Sequence, residues 1–299
     1  MRIFIWLVSE IKSRSVFYFH TVCLSSLFVI GQFIITLPFT KSPSSFLAFL
    51  LSAIAGGLLC FLVSLILSLK NKLINTMIFI MITVYSAFVL ADTFEVFCGF
   101  ARKVLFKDSF SVSVVLSFFL ICSYFILSKN QNVLKFSLIS FIYSAFVILI
   151  FIFLLLPNFK FSNISHWGNI EFNNMLDDFK QHFLNIFLSS ILLQFNQVNN
   201  LYENKRNAVV LGVLLGSFIL AVCGISTILL FGSGFTGVIE FPLVSVISTV
   251  SVGKLFSRLD AFCYFIFFFS CLLKIAVCGS VVISSLKNIN KFQKNQLNS

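Results

Sequence analysis

The sequence predicts an all-α polytopic membrane protein with about eight transmembrane helices. Eight long apolar runs, separated by short polar stretches, fill nearly all of the 299 residues. Hydrophobic residues make up 59% of the chain and charged residues only 10%, more apolar surface than a soluble domain of this size can hide. Most of the runs approach the roughly 20 apolar residues that a helix needs to cross a ~30 Å hydrocarbon core. No composition shift divides the chain. The reading is a cytoplasmic N-terminal tail over 1–15, one transmembrane domain over 16–287 and a cytoplasmic C-terminal tail over 288–299.

The first run covers 16–39. The second, 46–69, carries Ala53, Ala55, Gly56 and Gly57, a small-residue patch that lets helices approach closely. The third, 73–100, holds Asp92 and Glu95 in its last turns. The fourth, 112–127, is the shortest clean span, and the fifth, 133–156, is stopped by Pro157. After a polar segment over 158–178 comes the sixth run, 179–198, whose apolar core over 183–193 is too short to span alone. The seventh, 208–231, contains Gly212 and Gly216 at the G-x-x-x-G spacing of packed membrane helices. The eighth, 259–286, has a single internal charge, Lys274.

Loop charges orient the chain. With the N-terminus inside, twelve Lys and Arg residues fall on the cytoplasmic side and eight on the other, which places both termini in the cytoplasm. The net charge of +11 therefore reflects cytoplasmic loops and implies no nucleic-acid partner. The first apolar stretch, 3–8, is too short for a secretory signal, and no small-residue cleavage site follows the run from Val16. The eight cysteines form no C-x-x-C and read as small apolar packing residues. His20, His166 and His182 are not at metal-ligand spacing, and Gly232-Ser233-Gly234 reads as a loop rather than a nucleophile turn. The expectation is a protein that is not an enzyme, with neither cofactor nor metal.

Chemistry is expected where helices break near the bilayer midplane, because freed backbone groups there can hold a solute. Two runs read as broken. In the first, Gly31 loosens the helix and Pro38 removes a backbone donor, around Gln32 and Thr36. In the sixth, Gln194, Asn196, Gln197, Asn199 and Asn200 interrupt the apolar pattern. The first and sixth runs would open two five-helix repeats, the spacing of an inverted-repeat transporter. The expected ligand-binding residues are Gly31, Gln32, Thr36, Gln194, Asn196 and Gln197, with Tyr85 nearby, between the first, third, sixth and eighth helices. Lys274 is the functional intramembrane charge. An ammonium at a helix centre costs roughly 2.5–3.5 kcal/mol on insertion scales, so it should face the bundle and find a partner there. Glu240, just before Pro242, reads as a cap or loop charge.

Three segments also carry a family likeness: Phe241-Pro242-Leu243-Val244-Ser245-Val246-Ile247-Ser248, then Ser251-Val252-Gly253 leading to Arg258-Leu259-Asp260, then Lys274-Ile275-Ala276. They resemble the aromatic-Pro, Ser-Ile-Gly, acid-Arg-x-acid and late Lys-Ile-Ser elements of the spore germination permeases, the B subunits of nutrient germinant receptors. Leu37-Pro38 and Leu156-Pro157 are similar to further stations of that pattern. The likeness covers roughly 17–285. It implies a permease-like domain of the amino acid–polyamine–organocation transporter superfamily. The fold implied is a LeuT-like five-plus-five inverted-repeat bundle, truncated here, since the family has ten helices and the chain shows eight. Where the family breaks its sixth helix with small residues, this chain has Gln194-Phe195-Asn196-Gln197. The implied function is a multi-pass subunit of the bacterial cytoplasmic membrane, specifically the spore inner membrane. It would sense a small nutrient such as an amino acid and work with a lipoprotein and a larger membrane subunit. The alternatives are an amino-acid or cation-coupled secondary transporter, and a non-transporting interaction subunit with a vestigial pocket.

Overall fold

The computed structural model describes residues 2–34, 37–67, 72–105, 112–128, 130–164, 172–195, 205–232, 236, 239, 241–248 and 260–297. These residues are almost all helical, with no strand among them. The long helices are α1 (Arg2–Phe33), α2 (Pro43–Leu67), α3 (Lys72–Phe100), α4 (Val112–Leu127), α5 (Asn130–Leu155), α6 (Phe172–Phe195) and α7 (Lys205–Phe231). A short α8 (Pro242–Ser248) precedes the longest helix, α9 (Asp260–Leu297). Residues 2–15 and 288–297 are helical and extend α1 and α9.

Proline sets several boundaries. Pro43 and Pro242 open α2 and α8, where the missing N–H would be unbonded anyway. Pro157 lies in a 3-10 turn immediately after α5. Within the spans, Ser and Thr hydroxyls fold back onto carbonyls one turn earlier. Thr21 donates to Phe17 O at 3.0 Å, Ser25 to Thr21 O at 2.8 Å and Ser226 to Val222 O at 2.8 Å. These three hydroxyls are thus satisfied inside their own helices, which suits an apolar surround.

Among the described residues, six helices are long and apolar enough to cross a membrane: windows lie in α1, α2, α3, α5, α7 and α9. The two others expected from the sequence fall short for identifiable reasons. The apolar part of α4 is only Ser113–Leu127, and the first half of α6 carries Asp177, Asp178, Lys180 and His182. Packing nevertheless ties both to the bundle. Along α2 and α6, Ser45 meets Asp178, Gly56 meets Ile186 and Cys60 meets Gln194, so the two helices run parallel. From Ser45 to Cys60 is about 22 Å of helix rise, so α6 shares most of the depth of α2. Likewise Phe118 meets Phe268 and Ile126 meets Gly279, so α4 runs parallel to α9.

The heaviest packing is of α2 on α6 and α1 on α7, followed by α3 on α9, α2 on α7 and α1 on α5. The closest contact is α1 on α7. A Cβ on Gly212 would lie 2.6 Å from Val22 O, and one on Gly216 would lie 2.7 Å from Ser26 O. The helices therefore touch backbone to backbone, and Ser26 Oγ donates across to Gly212 O at 2.9 Å.

Candidate functional site at the end of α1

α1 leaves the helix after Phe33, not at Gly31. Leu37 N still donates to Phe33 O at 2.8 Å, but Leu37 itself is left-handed (φ 34°). It is followed by the 3-10 turn Pro38–Thr40. A left-handed leucine is unusual, and it lets the chain turn into a pocket of rings. Phe39 stacks on Phe49 at 4.0 Å, and Thr40 O accepts from Thr236 Oγ1 at 2.7 Å. Pro38 thus sits in the turn beyond the break, while Gly31 lies inside α1 and does a different job. A Cβ there would stand 2.7 Å from Ser270 Cβ and 3.3 Å from Lys274 Cδ. The missing side chain is what lets α9 bring Ser270 and Lys274 against α1.

Next to that contact runs a chain of polar groups. Ser189 Oγ of α6 donates to Gln32 Oε1 of α1 at 2.8 Å, and the Tyr85 hydroxyl of α3 lies 3.3 Å from Ser189 Oγ. Gly31, Gln32, Tyr85 and Lys274 are therefore brought together, from the first, third and eighth long helices, with Ser189 of the sixth joining them. Lys274 is 3% exposed, so it faces the bundle as its position in the apolar run requires. Among the described residues no carboxylate forms an ion pair with it. Its neighbours one turn away on α9, Cys271 and Cys278, are buried too.

Gln194 does not join this group. Its Nε2 donates to Cys60 Sγ at 2.8 Å and more weakly to Cys60 O at 3.4 Å, in the α2–α6 seam. The second break expected in the sixth run is not found in the part described, because α6 is continuous from Phe172 to Phe195. Thr36, Asn196, Gln197, Asn199, Asn200 and Glu240 lie outside the described residues. So do Ser251-Val252-Gly253 and Arg258.

Two participants escaped sequence reasoning. Ser189 is one serine among many, and only its hydrogen bonds single it out. His182 is not at metal-ligand spacing, yet it is 3% exposed and neither ring nitrogen has a hydrogen-bond partner. Its ring stands edge-on to Phe33, Phe39 and Phe49 at 5.8–6.4 Å. One turn earlier, Asp178 accepts from Ser45 Oγ. A histidine four residues after an aspartate, on a helix expected to be apolar, was the available signal. An apolar cavity of about 20 Å³ lies elsewhere, between α5, α7, α8 and α9, lined by Phe151, Cys223, Val246 and Cys263.

The bundle thus encloses one run of hydrogen-bonding groups and one buried ammonium beside the end of a broken helix. No metal-holding group of His, Cys, Asp and Glu occurs among the described residues. No curated protein matches the chain, and no solved structure does. The family profile described as spore germination protein matches residues 20–299, which takes in every helix from the body of α1 to the end of α9. The chain is a multi-pass membrane protein, and it belongs to the spore germination permease family.

Proposed function

We propose that this chain is the membrane subunit of a germinant receptor in which a small nutrient, such as an amino acid, is sensed at the Gly31–Gln32–Ser189–Tyr85–Lys274 cluster. The family is germinant-receptor-like, and the observation that carries the ligand site is the convergence of these groups from α1, α3, α6 and α9. The chemistry suits a zwitterion. The ammonium of Lys274 can receive a carboxylate, and Gln32 Oε1 and the Ser189 and Tyr85 hydroxyls can accept from an amine. Binding would exchange the Ser189–Gln32 bond for bonds to ligand, which loosens the tie between α1 and α6. That is how occupancy could be passed to other receptor subunits, the lipoprotein and the larger membrane subunit.

The test is germination of spores carrying Gln32→Leu or Ser189→Ala, measured as dose–response against a panel of amino acids. Both changes remove hydrogen-bonding groups without adding charge. The half-maximal dose should rise at least tenfold at normal protein abundance. An unchanged curve in both variants would remove the ligand from this cluster. Uptake of labelled amino acid into vesicles that contain only this protein would replace the sensor reading with the transporter one.

A further inference from the structure

The outward face of α3 carries two carboxylates at mid-membrane depth. Asp92 and Glu95 stand in the last turns of the third run, as expected, since α3 spans Lys72–Phe100. The pairing with α9 gives their depth. Thr83 meets Ser285, Phe97 meets Phe267 and Phe100 meets Tyr264, so the antiparallel register sets Asp92 level with Lys274. Lys274 lies near the centre of the α9 window Ala261–Ser285. Yet Lys274 is buried, and both carboxylates are exposed.

They share their face with an apolar stripe. Met81, Val84 and Phe88 are 68%, 67% and 69% exposed, and at 100° per residue they fall on the same side of α3 as Glu95, with Asp92 at the edge. On that side Ala87, Ala91 and Gly99 recur every fourth residue or multiple of it, in line with Glu95. A Cβ on Gly99 would meet nothing within 4 Å. Small residues at this spacing are what let a second helix come close inside a membrane. Among the described residues neither carboxylate has a hydrogen bond or an ion pair.

Lipid does not fit this face, since hydrocarbon offers a carboxyl group no partner in either protonation state. A second copy docked α3 to α3 does not fit either, because a two-fold contact would set carboxylates against carboxylates. An occupant must replace lipid along the stripe and supply positive charge at the depth of Asp92 and Glu95. We propose that this face of α3 docks a transmembrane helix of another protein, one with a Lys or Arg near its own midpoint and small residues on the contacting side. The inference rests on the membrane character of the chain and not on the ligand cluster.

The test is site-specific photocrosslinking in intact membranes of cells that express the full chain, with benzoylphenylalanine in place of Phe88. It reads a covalent adduct with no ligand present, so it stands or falls separately from the dose–response experiment. The expected adduct joins Phe88 to a membrane-spanning peptide of another protein, with Lys or Arg within one turn of the crosslinked residue. In Asp92→Asn/Glu95→Gln the adduct should fall at least tenfold while the chain inserts at normal abundance, since among the described residues neither carboxylate holds a hydrogen bond or an ion pair. Changing the partner's basic residue to Asp in combination with Asp92→Lys should restore it. Adducts to lipid alone, to a second copy of this chain, or to a helix without a basic residue would each overturn the proposal. So would an adduct that persists unchanged in the doubly neutralised variant.

Discussion

Gly31→Ala is the most direct probe of how α1 and α9 share the site. The new methyl carbon would sit 2.7 Å from Ser270 Cβ, against an ordinary separation of at least 3.4 Å. A Cβ cannot rotate away from its backbone, so the helices must part by about 0.7 Å. Overpacking of this kind costs about 1–3 kcal/mol. The relieving change is Ser270→Gly. Its hydroxyl bonds only to carbonyls of its own helix, Ile266 O at 2.8 Å and Phe267 O at 2.9 Å, so its loss breaks no tie to α1. Alone it should cost about 0.5–1 kcal/mol, the penalty of a glycine in a helix. Together the two changes should recover about 1–2 kcal/mol relative to their sum, as expected for residues in direct contact. Thermal unfolding of the detergent-solubilised protein can be followed with a thiol-reactive fluorophore, since seven of the eight cysteines are buried and free. If Gly31→Ala unfolds at the wild-type temperature, or if the two changes simply add, then Gly31 does not seat α9 and the geometry of the site is misread.

Lys274→Met should insert at least as well as wild type, because it removes a mid-membrane ammonium worth roughly 2.5–3.5 kcal/mol on insertion scales. It should abolish the spore response, and Lys274→Arg should restore it only in part, since a guanidinium is broader than an ammonium; a fully responsive Met variant would make the lysine a bystander. His182→Phe should raise the unfolding temperature, because it replaces two unbonded buried nitrogens with an apolar ring among Phe33, Phe39 and Phe49, a gain of about 1–3 kcal/mol; a destabilised variant would mean that the imidazole has a partner in the membrane. For orientation, in a cysteine-free background an impermeant maleimide applied to intact cells should label Phe161→Cys, which is 75% exposed after α5, and leave Ser128→Cys untouched. The reverse pattern would invert the chain.

The helices were legible because each apolar run had to be buried in lipid or in a neighbour, and runs of that length leave no other fold. Gly212 and Gly216 announced close packing by their spacing, and Lys274 announced its inward orientation by its cost. Gly31 was singled out correctly but for the wrong property. A glycine in a sequence signals either a bend or a close approach, and only the coordinates show Ser270 where its side chain would be. The actual break depends on the left-handed turn at Leu37, a residue whose type gives no hint of it. Ser189 and His182 were illegible for a related reason: a single polar residue on a helix acquires meaning from what the other helices place beside it. Asp92 and Glu95 were legible in the last turns of the third run, and α3 ends at Phe100 as that run does.

The backbone contact between α1 and α7 has a mechanical consequence. Between most helices lies a layer of side chains that can change rotamer and absorb a small displacement. At Gly212 and Gly216 that cushion is missing, and Ser26 adds a direct bolt to Gly212 O. A shift of α1 at the level of Gln32 therefore carries α7 along as one lever. The far end of that lever is Leu229, whose carbonyl accepts from Lys160 N and from Asn163 Nδ2, both at 3.0 Å. Motion that begins in the interior would thus emerge at the 158–164 connection, on the membrane face opposite Ser128, where a protein outside the bilayer could feel it.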